Sequence, residues 1–176
     1  MAYRQPEPLD RQHRVDGFGC GELALDYWLQ RHARAAQASG SARVYVATRE
    51  DAETVIGYYA LVAAEVAPDE ATERLLKGQP RGRSVPAILL ARLAVDQNHQ
   101  GVGLGSGLLQ DALLRCVEAA DVIGARALLV HAKHERAKSW YANYGFEESP
   151  SDPLHLLLLL KDIRRFLAGS GAGTPS

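Results

Sequence analysis

The period of apolar and polar positions changes several times along the chain, and each change marks an element. Ala87–Val95 is an apolar run broken only by Arg92, the pattern of a largely buried strand. A polar loop, Asp96–His99, follows. Gln-Gly-Val-Gly-Leu-Gly (Gln100–Gly105) then opens a helix whose apolar positions Leu104, Leu108, Leu109, Ala112 and Leu113 share one face and carry it to about Ala120. Upstream, Leu25, Trp28, Leu29, Ala33 and Ala36 keep helical spacing and predict one helix from about Glu22 to Ala38, ended by Ser39-Gly40-Ser41. Ala42–Thr48 and Thr54–Val66 read as strands joined by a polar hairpin turn, with Gly57 marking a bulge or a close approach.

The remaining pattern is shorter in range. Asp69–Leu76 predicts a short acidic helix ended by Gly78, and Gln79–Val85 a basic loop. Ala125–Ala132 predicts a strand, and Lys133–Tyr144 a helix closed by Gly145. Phe146–Glu148 and Leu154–Lys161 predict the last strands, split by a turn at Ser149–Pro153. Met1–Val15 has room for one short edge strand. Residues 169–176, Gly-Ser-Gly-Ala-Gly-Thr-Pro-Ser, offer nothing to bury and read as a disordered tail behind a single domain over 1–168. Strand pairs followed by alternating strands and helices predict an α/β fold on a mixed sheet.

Composition narrows the function. A net charge of −1 excludes global electrostatic capture of nucleic acid, so any such contact needs a local patch. Cys20 and Cys116 are too few for a disulfide framework or a zinc set, and they fit a reducing cytoplasm. No metal site is expected. The longest leucine run, Leu156–Leu160, is far too short to span a bilayer.

Strand, glycine-rich turn and helix start together make an anion cradle. The first amides of a helix lack intrahelical partners and the helix dipole favours negative charge there, while glycine lets phosphate oxygens approach the main chain. A P-loop would need a lysine, and none occurs between Lys77 and Lys133. A dinucleotide fingerprint would need a third glycine where Ser106 stands. What fits is Gln-x-x-Gly-x-Gly at Gln100, Gly103 and Gly105. A tight turn in which the glycines serve geometry alone is the alternative.

In this motif the sequence resembles the GNAT acetyltransferases, and the resemblance extends over about Phe18–Leu160. It implies a GNAT fold: a central sheet of about six to seven strands, splayed at the cofactor strand and flanked by helices. It also implies acetyl-CoA as cofactor, its diphosphate held by Gln100, Gly101, Val102, Gly103, Leu104, Gly105 and Ser106. Its pantetheine arm would pair with the backbone of Leu93, Ala94 and Val95. Ala137–Phe146, Ala-Lys-Ser-Trp-Tyr-Ala-Asn-Tyr-Gly-Phe, is similar to the family segment that carries the general acid, and puts Tyr141 in that role with Trp140 in place of the usual Phe. The alternative for Tyr141 is a core aromatic. Tyr144 is the reserve acid, expected to pack beneath the helix. No carboxylate lies between Ser84 and Asp96, where many of these enzymes keep a base; Glu65 and Asp96 remain as candidates, Asp96 more in keeping with a loop cap. An α-amine, with a pKa of about 7.7–8.0 against about 10.4 for lysine, needs less help and is the favoured acceptor. His131 reads as structural.

Phe-Gly-Cys-Gly and the Leu-x-x-Trp-Leu helix after it (Phe18–Leu29) also look like the opening of the GNAT toxins of bacterial toxin–antitoxin pairs. That resemblance implies acetylation of the α-amine of aminoacyl-tRNA, a block of translation, a ribbon-helix-helix antitoxin and a homodimer. Two basic clusters, Arg81, Arg83 and Arg92, and Lys133, Arg136 and Lys138, are the candidate contacts to the tRNA backbone; a solvated face is the alternative for each. Acetylation of a small amine or a protein N-terminus, and a non-catalytic binding role for the fold, are the competing functions.

Overall fold

The structure is a computed structural model and describes residues 3–171. The elements are β1 (Glu7–Pro8), α1 (Leu23–Arg31), α2 (Ala33–Ser39), β2 (Arg43–Thr48), β3 (Val55–Val66), α3 (Glu73–Leu76), β4 (Val85–Val95), α4 (Leu104–Val122), β5 (Ala127–His131), α5 (Glu135–Ala142), β6 (Glu147–Glu148), β7 (His155–Leu159) and α6 (Leu160–Gly171). The strands form one mixed sheet in the order β1-β2-β3-β4-β5-β7-β6, the α/β architecture the pattern predicts. The chain divides into two compact units. One is drawn from Met1–Val62 and Leu90–Ala112, the other from Ala63–Leu89 and Leu113–Ser176.

In the first unit, β2 and β3 pair antiparallel from Arg43↔Leu61 to Ala47↔Gly57, after which the register slips so that Thr48 faces Val55. That slip is the bulge Gly57 signals. Phe18, Leu25, Leu29, Val44, Val46 and Tyr58 fill the core. Tyr58 satisfies its buried hydroxyl by donating to the Leu25 carbonyl (2.7 Å), which anchors α1 to the sheet. The single helix expected over Glu22–Ala38 is two helices, broken at His32 (φ −124°, ψ −22°). Periodicity carries no trace of the break because Ala33, fully buried, continues the same apolar face beyond it. Gly40, at φ 78°, ends α2 as expected.

In the second unit, Val66, Leu75, Val85, Leu129, Leu157 and Leu159 form the core. β5 and β7 run antiparallel, from Ala127↔Leu159 to His131↔His155. The predicted acidic helix is a 3₁₀ turn (Pro68–Glu70) followed by α3, whose first turn is capped by the Thr72 hydroxyl accepting from the Leu75 amide (3.3 Å). Arg74 forks onto both oxygens of Asp162 (3.1 and 2.9 Å) and reaches Glu147 (2.5 Å), tying α3 to α6 and β6. α6 corrects the sequence reading. β7 ends at Leu159, and from there the chain turns helical, with Leu160 and Ile163 buried. Residues 169–171, assigned to the tail, are the last residues of this helix. Residues 172–176, the rest of that tail, lie outside the described residues. Among the described residues no helix is long and apolar enough to cross a membrane.

Candidate active site

The glycine turn of the expected anion cradle lies between the end of β4 and the first turn of α4. Gly101 and Gly103 have φ of 78° and 88°, a region that side-chain-bearing residues rarely enter. A Cβ built on either would meet nothing within 4 Å, so neither glycine is there to relieve packing. Their backbone is open to approach, as a ligand-facing turn requires. The helical ladder begins with the Gly107 amide donating to Gly103 O (3.1 Å), and the first turn of α4 holds no acidic residue. An anion here meets main-chain donors and the positive end of the helix, with no like charge in that turn. The residues present fit the diphosphate of acetyl-CoA.

The helix behind the cradle is pressed close to the sheet. A Cβ on Gly57 would come within 2.9 Å of Leu108 Cδ1, 3.4 Å of Leu104 Cδ2 and 3.5 Å of the Ala94 carbonyl oxygen. Glycine in β3 is therefore what lets α4 seat against the strand. Of the β4 residues expected to face the pantetheine arm, Ala94 is buried while Leu93 and Val95 are half-buried.

Gln100 does something the motif does not announce. Its side-chain nitrogen donates to the Val95 carbonyl (2.9 Å) and to the Cys20 carbonyl (3.1 Å). Asp96, buried, accepts from the Gly19 amide (3.1 Å) and the Asn98 amide (3.0 Å), which accounts for it as a loop cap rather than a base. The Gln97 amide donates to Gly19 O (2.8 Å). Gly19–Gly21 is thus tied to the turn before α4 by contacts nearly eighty residues apart in sequence. No local pattern could reveal that.

Tyr141 lies on α5, in the second unit, 8% exposed and edge-on to Trp140 (4.9 Å between centroids) and Phe146 (5.4 Å). Burial pushes its phenol above the ordinary value, so it stays protonated at neutral pH. Tyr144, half-buried and edge-on to Trp140 (5.2 Å), lines a cavity of about 200 Å³ with Leu113, Leu158 and Phe166. His131 stacks on His155 (4.0 Å, 20°) across the β5–β7 pair, and burial followed by the neighbouring imidazole lowers its pKa.

The basic residues differ in what their charges meet. Arg92 belongs to the first unit, where its guanidinium lies 4.2 Å over the Trp28 ring. Arg81, Arg83, Lys133 and Arg136 are exposed and make no ion pair among the described residues. Lys138 is committed to Glu148 (2.5 Å) and Glu135 (3.9 Å), and the Glu148 hydrogen bond raises its pKa. Glu7, His13 and Glu53 place potential metal-ligand atoms within 4.8 Å of one another. His13 Nδ1, however, accepts the Asp10 amide (2.9 Å), which leaves the ring proton on Nε2, facing Glu7 (2.7 Å). The lone pair a metal would need is not on offer in that tautomer. The cluster is a buried histidine–glutamate hydrogen bond.

Strand, glycine turn and helix, carried on this sheet, define an acyltransferase of the GNAT kind, and the acetyltransferase (GNAT) domain matches residues 40–148. The chain belongs to this family: it is an N-acetyltransferase that uses acetyl-CoA. It is 46% identical over 165 residues to the tRNA-acetylating toxin of Mycobacterium tuberculosis, covering 94% of this chain and 97% of that protein. Among solved structures it is similar to AtaT complexed with acetyl-methionyl-tRNAfMet (TM-score 0.85, 25% identity, 94% of this chain and 99% of that one). It is also similar to a tyrosine-to-phenylalanine mutant of AtaT bound to acetyl-CoA and the C-terminus of the antitoxin AtaR (TM-score 0.80, 26% identity, 95% and 99%).

Proposed function

We propose that this protein moves the acetyl group of acetyl-CoA onto the α-amine of the amino acid carried by a charged tRNA, and that it is the toxin of a toxin–antitoxin pair. The observation that carries the proposal is identity of 46% through nearly the whole length of a tRNA-acetylating toxin. The site chemistry agrees with it. Bound acetyl-CoA supplies an acyl group already activated as a thioester. The main chain of Gly101–Gly105, with the flanking Gln100 and Ser106 amides, holds its diphosphate. The backbone of Leu93–Val95 runs beside the pantetheine arm, and Tyr141 gives its hydroxyl proton to the departing sulfur. β4 carries no carboxylate, and Asp96 is spent on two amides. An α-amine fits this lack of a base because about half of it is already neutral near pH 8.

Arg81, Arg83, Lys133 and Arg136, exposed and unneutralised, receive the phosphate backbone of the tRNA. Arg92 presents its N–H edge to the acceptor from the face of Trp28. Lys138 has no part in this, its charge being taken by two glutamates. The protein works in the cytoplasm as a homodimer and is restrained by a ribbon-helix-helix antitoxin. A cell-free translation reaction tests the proposal. Added protein stops synthesis only when acetyl-CoA is present, and fresh aminoacyl-tRNA restores it. Synthesis that continues unchanged overturns it.

A further inference from the structure

We infer that Gln100 and Asp96 are positioning residues that preform the cradle by clamping Gly19–Gly21 against it. The inference rests on the acetyl-CoA reading of the cradle and adds a cause for its shape. A turn with two glycines at positive φ is free to move, and its amides bind a diphosphate well only if they point the right way beforehand. The clamp supplies that restraint from both sides. Gln100 fastens the first residue of the turn to Val95, at the end of β4, and to Cys20. Asp96 and the Gln97 amide take the N–H and the carbonyl of Gly19.

Cys20 is itself fixed, because its amide donates to Asp26 on α1 (2.8 Å) and its thiol to Glu22 O (3.5 Å). The path from α1 to the cradle is therefore a continuous set of hydrogen bonds. Gly21 lets the two segments meet: a Cβ there would stand 3.1 Å from Gln97 Nε2, at a φ of 98° that already demands glycine. The requirement at position 100 is for a side chain that donates to two carbonyls. Glutamine meets it and arginine can. Glutamate, of the same shape, offers those carbonyls only lone pairs, and methionine offers nothing.

The test is calorimetric titration of CoA into the full chain and its Gln100→Arg, Gln100→Met and Gln100→Glu variants, with steady-state kinetics on each. Gln100 is exposed, so the variants keep the fold, and their thermal midpoints check this. The clamp predicts that the methionine and glutamate variants lose CoA affinity about tenfold or more. Arginine stays within about threefold of wild type. Amide exchange over residues 101–105 in the free protein rises in the methionine variant and not in the arginine one. A loss confined to glutamate would mean charge repulsion and overturns the clamp, as does equal affinity throughout. Wild type that fails to bind CoA contradicts the cofactor assignment instead. Asp96→Asn, which turns one acceptor into a donor facing an amide, provides the second arm with the same expected loss of affinity.

Discussion

Tyr141 is held by Trp140 and Phe146 in surroundings that make it a weaker acid than a free phenol. A raised pKa means that the proton stays on through the ordinary phenol value of about 10, so the acid role proposed for Tyr141 is kept throughout the working range. Turnover should therefore climb as the acceptor amine loses its proton, to pH about 8, and hold from there to about 9.5. A fall over that upper interval in the turnover profile would show a different acid at work. Replacing Tyr141 with phenylalanine removes one oxygen from a site already lined with rings. The variant should keep its CoA affinity and thermal midpoint while turnover drops by about 10²–10⁴-fold, the usual worth of a positioned acid. Wild-type turnover from that variant would assign the proton elsewhere.

At the level of elements, β3 sets where α4 lies. Gly57→Ala drives a methyl to within 2.9 Å of Leu108 Cδ1, on a side chain that is itself fully buried. Overpacking of this kind costs about 1–3 kcal/mol, and for a chain of this length the thermal midpoint should fall by roughly 2–12 °C. Because the displaced helix carries the cradle at its first turn, CoA affinity should weaken along with stability, as a paired melt and titration would record. An unchanged midpoint would mean that α4 does not sit so close. Elements whose signal is local were legible in the sequence: β4, the glycine turn and α4 fall within about two residues of their expected bounds. α6 was passed over although Leu160, Ile163 and Leu167 repeat at helical spacing, because the leucine run before them reads as strand and the glycines after them as tail. The break at His32 was not legible, since a bend that keeps the buried face in phase leaves the pattern untouched.

For the whole molecule, function was legible to the extent that chemistry is local in the chain. Gln-x-x-Gly-x-Gly points within six residues to acetyl-CoA, the cofactor this family uses. The clamp that shapes it was hidden, because Gly19 and Asp96 meet only in the fold. Charge misleads for the same reason. Lys138 counts as a free cation in the sequence, yet Glu148, on another element, neutralises it, while Arg92 is drawn off to Trp28. A GNAT enzyme whose β4 carries no carboxylate is suited to the acceptor proposed here, an amine that is nucleophilic without assistance. The most direct measurement is mass spectrometry of the aminoacyl-adenosine ends released by nuclease from bulk charged tRNA after incubation with the protein and isotopically labelled acetyl-CoA. The account predicts labelled N-acetylaminoacyl-adenosine with wild type, and little or none with Tyr141→Phe. Ends that stay unlabelled while the protein binds acetyl-CoA would contradict it.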